Sequence, residues 1–165
     1  MLSENMLNML NRQVNAEIQA AYLYLSMSLD AESKDMTGVA NWFYVQWLEE
    51  LHHARLLQMY ILSRNGKVAL LPLESVPTEW QTLKDMFSST LRHERIVTQL
   101  IHNITAEATR EQDFATLNRM IWFVDEQVEE EAQARTLLNR VSQIENNRAA
   151  LMILDKELAE RKSEN

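Results

Sequence analysis

The sequence predicts an all-α fold: a four-helix bundle with one long crossover between its second and third helices and a short fifth helix at the C-terminus. Three observations predict it. Two Gly and two Pro in 165 residues are too few for the turns of a sheet protein. Apolar residues recur at spacings of three and four along extended stretches, the period of one helical face. Both prolines fall in one segment, Lys67 to Gln81, that has no helical period.

The first helix is read from Ser3, as its N-cap, to Ser33, with the stripe Leu7, Leu10, Val14, Ala21 and Tyr24. Thr37 is read as the cap of the second, which carries Val39, Phe43, Leu57 and Ile61. Its end at Asn65-Gly66 places a glycine where a left-handed C-cap is expected. The third helix opens near Thr82 and presents Leu83, Phe87, Val97, Ile101, Ile104 and Ala108. The fourth follows Gln112-Asp113 and presents Met120, Phe123, Ala134, Leu137 and Val141. A fifth begins near Asn147 with Ala150, Leu151, Leu154 and Leu158.

Short connections make helices one and two, and three and four, antiparallel hairpins. The crossover, about 50 Å long if extended, can run the length of a 28-residue helix of about 42 Å. The middle helices then lie parallel. A disordered linker between two separate hairpins is the alternative, and it leaves each hairpin's stripe unburied. The chain reads as a single domain, residues 1–165, with the bundle over about 3–143 and the last helix over about 147–160.

Composition excludes several functions. The absence of Cys removes disulfides, zinc–thiolate sites, iron–sulfur clusters and cysteine nucleophiles. A net charge of −8 argues against a nucleic-acid surface. No apolar run is long enough to span a bilayer. The first residues lack the basic start and apolar core of a signal peptide, so a cytoplasmic location is expected.

Six polar residues interrupt the apolar stripes at the spacing that continues each stripe. They are Glu17 on the first helix, Glu50 and His53 on the second, Glu94 on the third, and Gln127 and Glu130 on the fourth. Each should point inward. Glu17 to Glu50 and Glu94 to Gln127 are both 33 residues; Glu17 to Glu94, Glu50 to Gln127 and His53 to Glu130 are each 77. The hairpins therefore superimpose about these positions, and both polar clusters should meet at one depth. A carboxylate from each of two helices with a Glu-x-x-His-type pair from the others is the ligand set of di-iron carboxylate bundles.

Burying one unpaired carboxylate costs several kcal/mol, about the scale of a whole domain's margin of stability. Four together, with no Lys or Arg on those stripes, repel one another further. They can be held protonated, or a divalent cation can neutralise them. Oxygen ligands with one imidazole suit iron or manganese better than a closed zinc site. Any of these residues taken singly reads as a solvated face or a structural histidine; the joint spacing is what points to a metal pair.

Glu17, Tyr24, Glu49-Glu50-x-x-His53, Glu94, Trp122 and Glu126-Gln127-x-x-Glu130 together resemble the bacterial non-haem ferritins, over essentially the whole chain. Bacterioferritins would carry a second Glu-x-x-His where this chain has Gln127-x-x-Glu130, and rubrerythrins a cysteine-rich module. The resemblance implies a ferroxidase and iron store. In that family pattern Glu17, Glu50 and His53 bind the first iron, and Glu50, Glu94 and Glu130 the second. Glu50 bridges the two and Gln127 lines the site. It further implies a third iron site from Glu49, Glu126 and Glu129 with Glu130 shared. Tyr24 and Trp122 are then electron donors to oxygen, or else packed aromatics with a hydrogen-bonded tip. Dioxygen or hydrogen peroxide is the implied oxidant, an oxyhydroxide mineral the product, and an octahedral cage of 24 copies the assembly, with the fifth helix at its four-fold axes.

A second apolar stripe, Ile18, Tyr22, Leu25 and Leu29 with Leu48, Leu51 and Met59, fits such an interface. No haem is expected: His52 stands where bacterioferritins place a haem-ligating Met, yet Arg55 and Glu49 beside it supply no apolar slot. A di-iron enzyme acting on an organic substrate and a helical interaction protein that binds no metal are the competing classes.

Overall fold

The computed structural model describes residues 1–163. The chain forms α1 (Glu4–Ser33), α2 (Thr37–Ser63), α3 (Leu83–Arg110), α4 (Phe114–Ile144) and α5 (Arg148–Leu158), with no strand among the described residues. None of these helices is long and apolar enough to cross a membrane.

Four helices start on a local side-chain cap, each satisfying an N–H that has no partner inside the helix. Ser3 accepts from Met6, Asp113 from Thr116 and Asn147 from Ala150, while Thr82 and Asp85 form a reciprocal capping box. The second helix differs from the sequence reading. Thr37 is its first helical residue, and the N-cap, Met36, offers no side-chain acceptor. The missing acceptor comes from α5, where Asp155 Oδ1 receives the Val39 N–H at 2.8 Å. Gly38 permits this approach, since a Cβ there would lie 1.6 Å from the Asp155 carbonyl oxygen.

The helix ends hold a second difference. Gly66 was expected to take the left-handed conformation after α2, but Asn65 takes it, with φ 58°. Gly66 N–H then donates back to Ile61 O at 2.9 Å, and Asn65 N–H to Leu62 O at 3.0 Å, the paired bonds of a Schellman end. Gly66 is needed for space: a Cβ would come 2.8 Å from both Ile61 Cγ2 and Leu7 Cδ1. Asp35 and Gln112 do the same work after α1 and α3, at φ 57° and 56°. Three tight helix ends are thus made without a glycine in the left-handed position.

Between α2 and α3 the crossover runs the length of α1 and makes α2 and α3 parallel. Side chains of α1 hold it as a neighbouring strand would. Asn11 accepts from Ala69 N–H and donates to Lys67 O; Asn15 accepts from Leu71 N–H and donates to Ala69 O. Gln19 makes the same pair with Glu74, and Asp30 accepts from Trp80 N–H. An extended segment with exposed leucines is thereby fixed by its backbone.

The core divides into two apolar clusters. Tyr24, Met27, Phe43, Phe87 and Val141 belong to one, Leu10, Leu57, Ile101, Met120 and Phe123 to the other. Met6 is fully buried, whereas Leu7 and Leu83, at the ends of their stripes, are only half-buried. Between the clusters lies a belt of buried polar side chains.

Candidate metal centre

Glu17, Glu50, His53, Glu94, Gln127 and Glu130 are all buried, each at most 4 % exposed, and all six lie in this belt. A ligand atom from each of Glu17, Glu50 and His53 lies within 4.8 Å of the other two, the only such group among the described residues. His53 Nδ1 stands 3.4 Å from Glu50 Oε2, one helical turn away. Trp122 and Phe123 pack edge-on against the imidazole, with ring centroids at 5.4 and 6.1 Å, and so fix its plane.

The second pair of helices supplies Glu94 and Glu130. Gln127 Nε2 donates to Glu94 Oε2 at 3.1 Å and to the Glu94 carbonyl at 3.2 Å. The Tyr24 hydroxyl also donates to Glu94 Oε1. Tyr24 is fully buried, while Trp122 is 40 % exposed. The two aromatics therefore flank the belt from unlike environments.

Two further residues belong to the belt that the sequence reading did not single out. Gln13 Nε2 donates to Glu17 Oε1 at 2.9 Å, and Gln46 Nε2 to Glu130 Oε2 at 2.9 Å, both fully buried. A signal existed: each glutamine precedes an inward glutamate of its own helix, Glu17 or Glu50, by one turn.

The electrostatics shows what the belt lacks. Burial, and then the charge of Glu50, pushes the Glu17 carboxyl well above its ordinary range. Glu50 is raised by burial, then by Glu94 and Glu130; Glu130 is pushed up to about 8 by burial and then Glu94. Burial and Glu94 raise the Tyr24 phenol as well. Glu17 Oε2 and Glu50 Oε2 are buried and receive no hydrogen bond. Oxygens this costly to leave unsatisfied, beside one imidazole, fit a divalent cation of borderline hardness.

The outer carboxylates are arranged differently. Glu129 is exposed, and Glu126 Oε1 lies 3.9 Å from His53 Nε2. Glu49 Oε2 accepts from Arg161 Nη2 at 2.6 Å. These three do not converge as Glu17, Glu50 and His53 do. His52 is half-buried on the neighbouring position of α2.

Comparison with known proteins gives one consistent answer. The family model for the Ferritin-like domain matches residues 7–144. A bacterial non-heme ferritin of Bacteroides fragilis (strain 638R) is 35 % identical over 161 residues, covering 98 % of this chain and all of that protein. One from Staphylococcus aureus (strain MRSA252) is 34 % identical over 98 % of this chain and 97 % of its own length. Among solved structures, an open pore ferritin from the hyperthermophilic archaeon Archaeoglobus fulgidus is 44 % identical. It superimposes with a TM-score of 0.97 over 98 % of this chain and 100 % of its own. A humanized archaeal ferritin, 41 % identical, superimposes with a TM-score of 0.99 over the whole of both chains.

Proposed function

This chain belongs to the ferritin family, and from that premise we propose that it is a ferroxidase that stores its product as an oxyhydroxide mineral inside a cage of 24 copies, in the cytoplasm. The observation that carries the reading is the triad Glu17, Glu50 and His53 with its two unsatisfied carboxylate oxygens.

Fe(II) is the substrate. Glu17, Glu50 and His53 take the first ion and Glu50, Glu94 and Glu130 the second, with Glu50 bridging and Gln127 lining the site. Two Fe(II) each lose one electron, and dioxygen accepts both with two protons as hydrogen peroxide. Peroxide in turn can serve as an oxidant. The chain's part is to hold two ions at bridging distance with room left for the oxidant. Its raised carboxyl groups release protons as iron binds, so charge is exchanged rather than added to a dry interior. Tyr24, hydrogen-bonded to Glu94, and Trp122, packed on His53, are read as donors of one electron and one proton each. With the two Fe(II) electrons and two further protons, these would carry dioxygen to two waters instead of peroxide. Glu49, Glu126 and Glu129, with Glu130 shared, are read as the outer third site through which oxidised iron leaves, a site these side chains must move together to close. The centre is a non-haem one.

The test pairs electron microscopy with stopped-flow absorbance after Fe(II) addition. Hollow shells that rapidly oxidise two Fe(II) per chain are expected. A monomer or dimer with no rapid oxidation would overturn the reading.

A further inference from the structure

The C-terminal tail reaches the rim of the metal centre. After α5 the chain lies along α2, where Asn41 Nδ2 donates to the Leu158 carbonyl at 3.1 Å and the Arg161 carbonyl at 3.0 Å. That anchors Arg161 beside the helix that carries Glu50 and His53. Its guanidinium sits 4.6 Å from the Trp42 ring centroid and donates to Trp42 O at 3.4 Å. The same guanidinium donates through Nη2 to Glu49 Oε2 at 2.6 Å. Both side chains are largely enclosed, 17 % exposed for Arg161 and 13 % for Glu49.

We propose that Arg161 is a built-in competing cation that occupies Glu49, so that iron enters the outer site only by displacing the tail. The inference rests on the reading of Glu49, Glu126 and Glu129 as that outer site. Three features support it. A guanidinium keeps its charge at every pH at which the protein folds, so this competitor is always present. A charge-assisted hydrogen bond at this length, sheltered from solvent, is stronger than an exposed ion pair. The face of Trp42 and the Trp42 carbonyl hold the guanidinium in place against Glu49, so taking the carboxylate means lifting the tail as well. The consequence is an order of filling. Glu17, Glu50 and His53 are engaged by one another, by Gln13 and by Glu126, with no Lys or Arg on them among the described residues, and load first; the outer site loads last and most weakly. The tail thereby sets how readily oxidised iron moves out of the centre.

Calorimetric titration of the intact assembly with Co(II), a probe that needs no oxidation, tests this in wild type, R161A, R161K and E49Q. In R161A the third-metal step should tighten about tenfold, the worth of one charge-assisted hydrogen bond. The first two steps should stay unchanged. R161K, which retains a cation, should remain close to wild type, and adding R161A to E49Q should change nothing. Hydrogen exchange of the peptide that spans Leu158 to Lys162 should rise in wild type when the third metal binds. If E49Q removes the third step but R161A leaves it unaltered, the competing-cation role is overturned while the outer site stands. If E49Q leaves the third step intact, the outer-site reading itself fails. A third step absent from both wild type and R161A also overturns the proposal.

Discussion

Gln46 and Glu130 meet across the packing of α2 on α4: Gln46 Nε2 donates to Glu130 Oε2 at 2.9 Å, and both side chains are buried. The amide holds one carboxylate oxygen in place, and its own carbonyl oxygen is left buried without a donor. Gln46→Leu keeps the volume and removes the donor. The second-metal step in a Co(II) titration should weaken about 10- to 100-fold, the usual effect of losing an outer-shell partner of a metal ligand. The first step should not move. An unaltered second step would show that packing alone orients Glu130.

Glu50 sits between the two halves of the centre, within reach of Glu17 and His53, its carboxyl raised by burial and then by the charges of Glu94 and Glu130. Glu50→Ala should nearly abolish rapid Fe(II) oxidation in stopped-flow absorbance while shells remain visible by electron microscopy. The fold should tolerate it, because the substitution also removes a buried carboxylate that is costly without metal. Rapid oxidation persisting in a well-folded variant would sink the role of bridging ligand.

Periodicity made most of the helix layout legible. Ser3, Thr82, Asp113 and Asn147 act as caps within three residues of the N–H groups they satisfy, and such local signals survive in sequence. The 33- and 77-residue spacings reflect two hairpins of matched length, and all six residues they pick out are buried. What stayed hidden depends on partners distant along the chain. Asp155 caps α2 from 116 residues away, and Arg161 finds Glu49 across 112. Period tells which face a residue occupies, not which helix lies opposite. Asn65 illustrates a local ambiguity instead: either residue of an Asn-Gly pair can take positive φ; here Asn65 takes it, and the glycine is needed at 66 because Leu7 and Ile61 leave no room for a Cβ.

Metal-free protein should lose stability as pH rises from about 6.5 toward 8. Glu130 ionises near 4.5 in an unfolded chain but is pushed up to about 8 in the fold, and Glu17 and Glu50 move in the same direction. In that window the folded state binds more protons than the unfolded one, so the free energy of unfolding falls with pH. His93, lowered by burial, has the opposite effect, but only below its ordinary value of 6.5. Melting temperatures of chelator-treated protein should therefore fall across this range. Glu130→Gln should flatten the slope, and saturating Co(II) should abolish or reverse it. A rising melting temperature in the metal-free protein would contradict the raised carboxyl groups.

α5 has two separable roles, and paired variants distinguish them. Within the chain, Leu154 and Leu158 are buried and Asp155 supplies the acceptor that α2 lacks. Asp155→Ala should cost about 1 kcal/mol in chelator-treated protein unfolded by urea, as for loss of a helix cap at a favourable dipole end. On its other face Met152 and Ile153 are 67 % and 62 % exposed, more apolar surface than a terminal helix gains by leaving in water. Replacing both with Ser should leave the unfolding of the single chain unchanged yet loosen the assembly, lowering its mass by light scattering and speeding iron release. Truncation after Glu145 removes both roles and should show both losses together. A double-Ser variant that assembles and retains iron normally would mean that this face meets no other copy, and would leave α5 with the internal role alone.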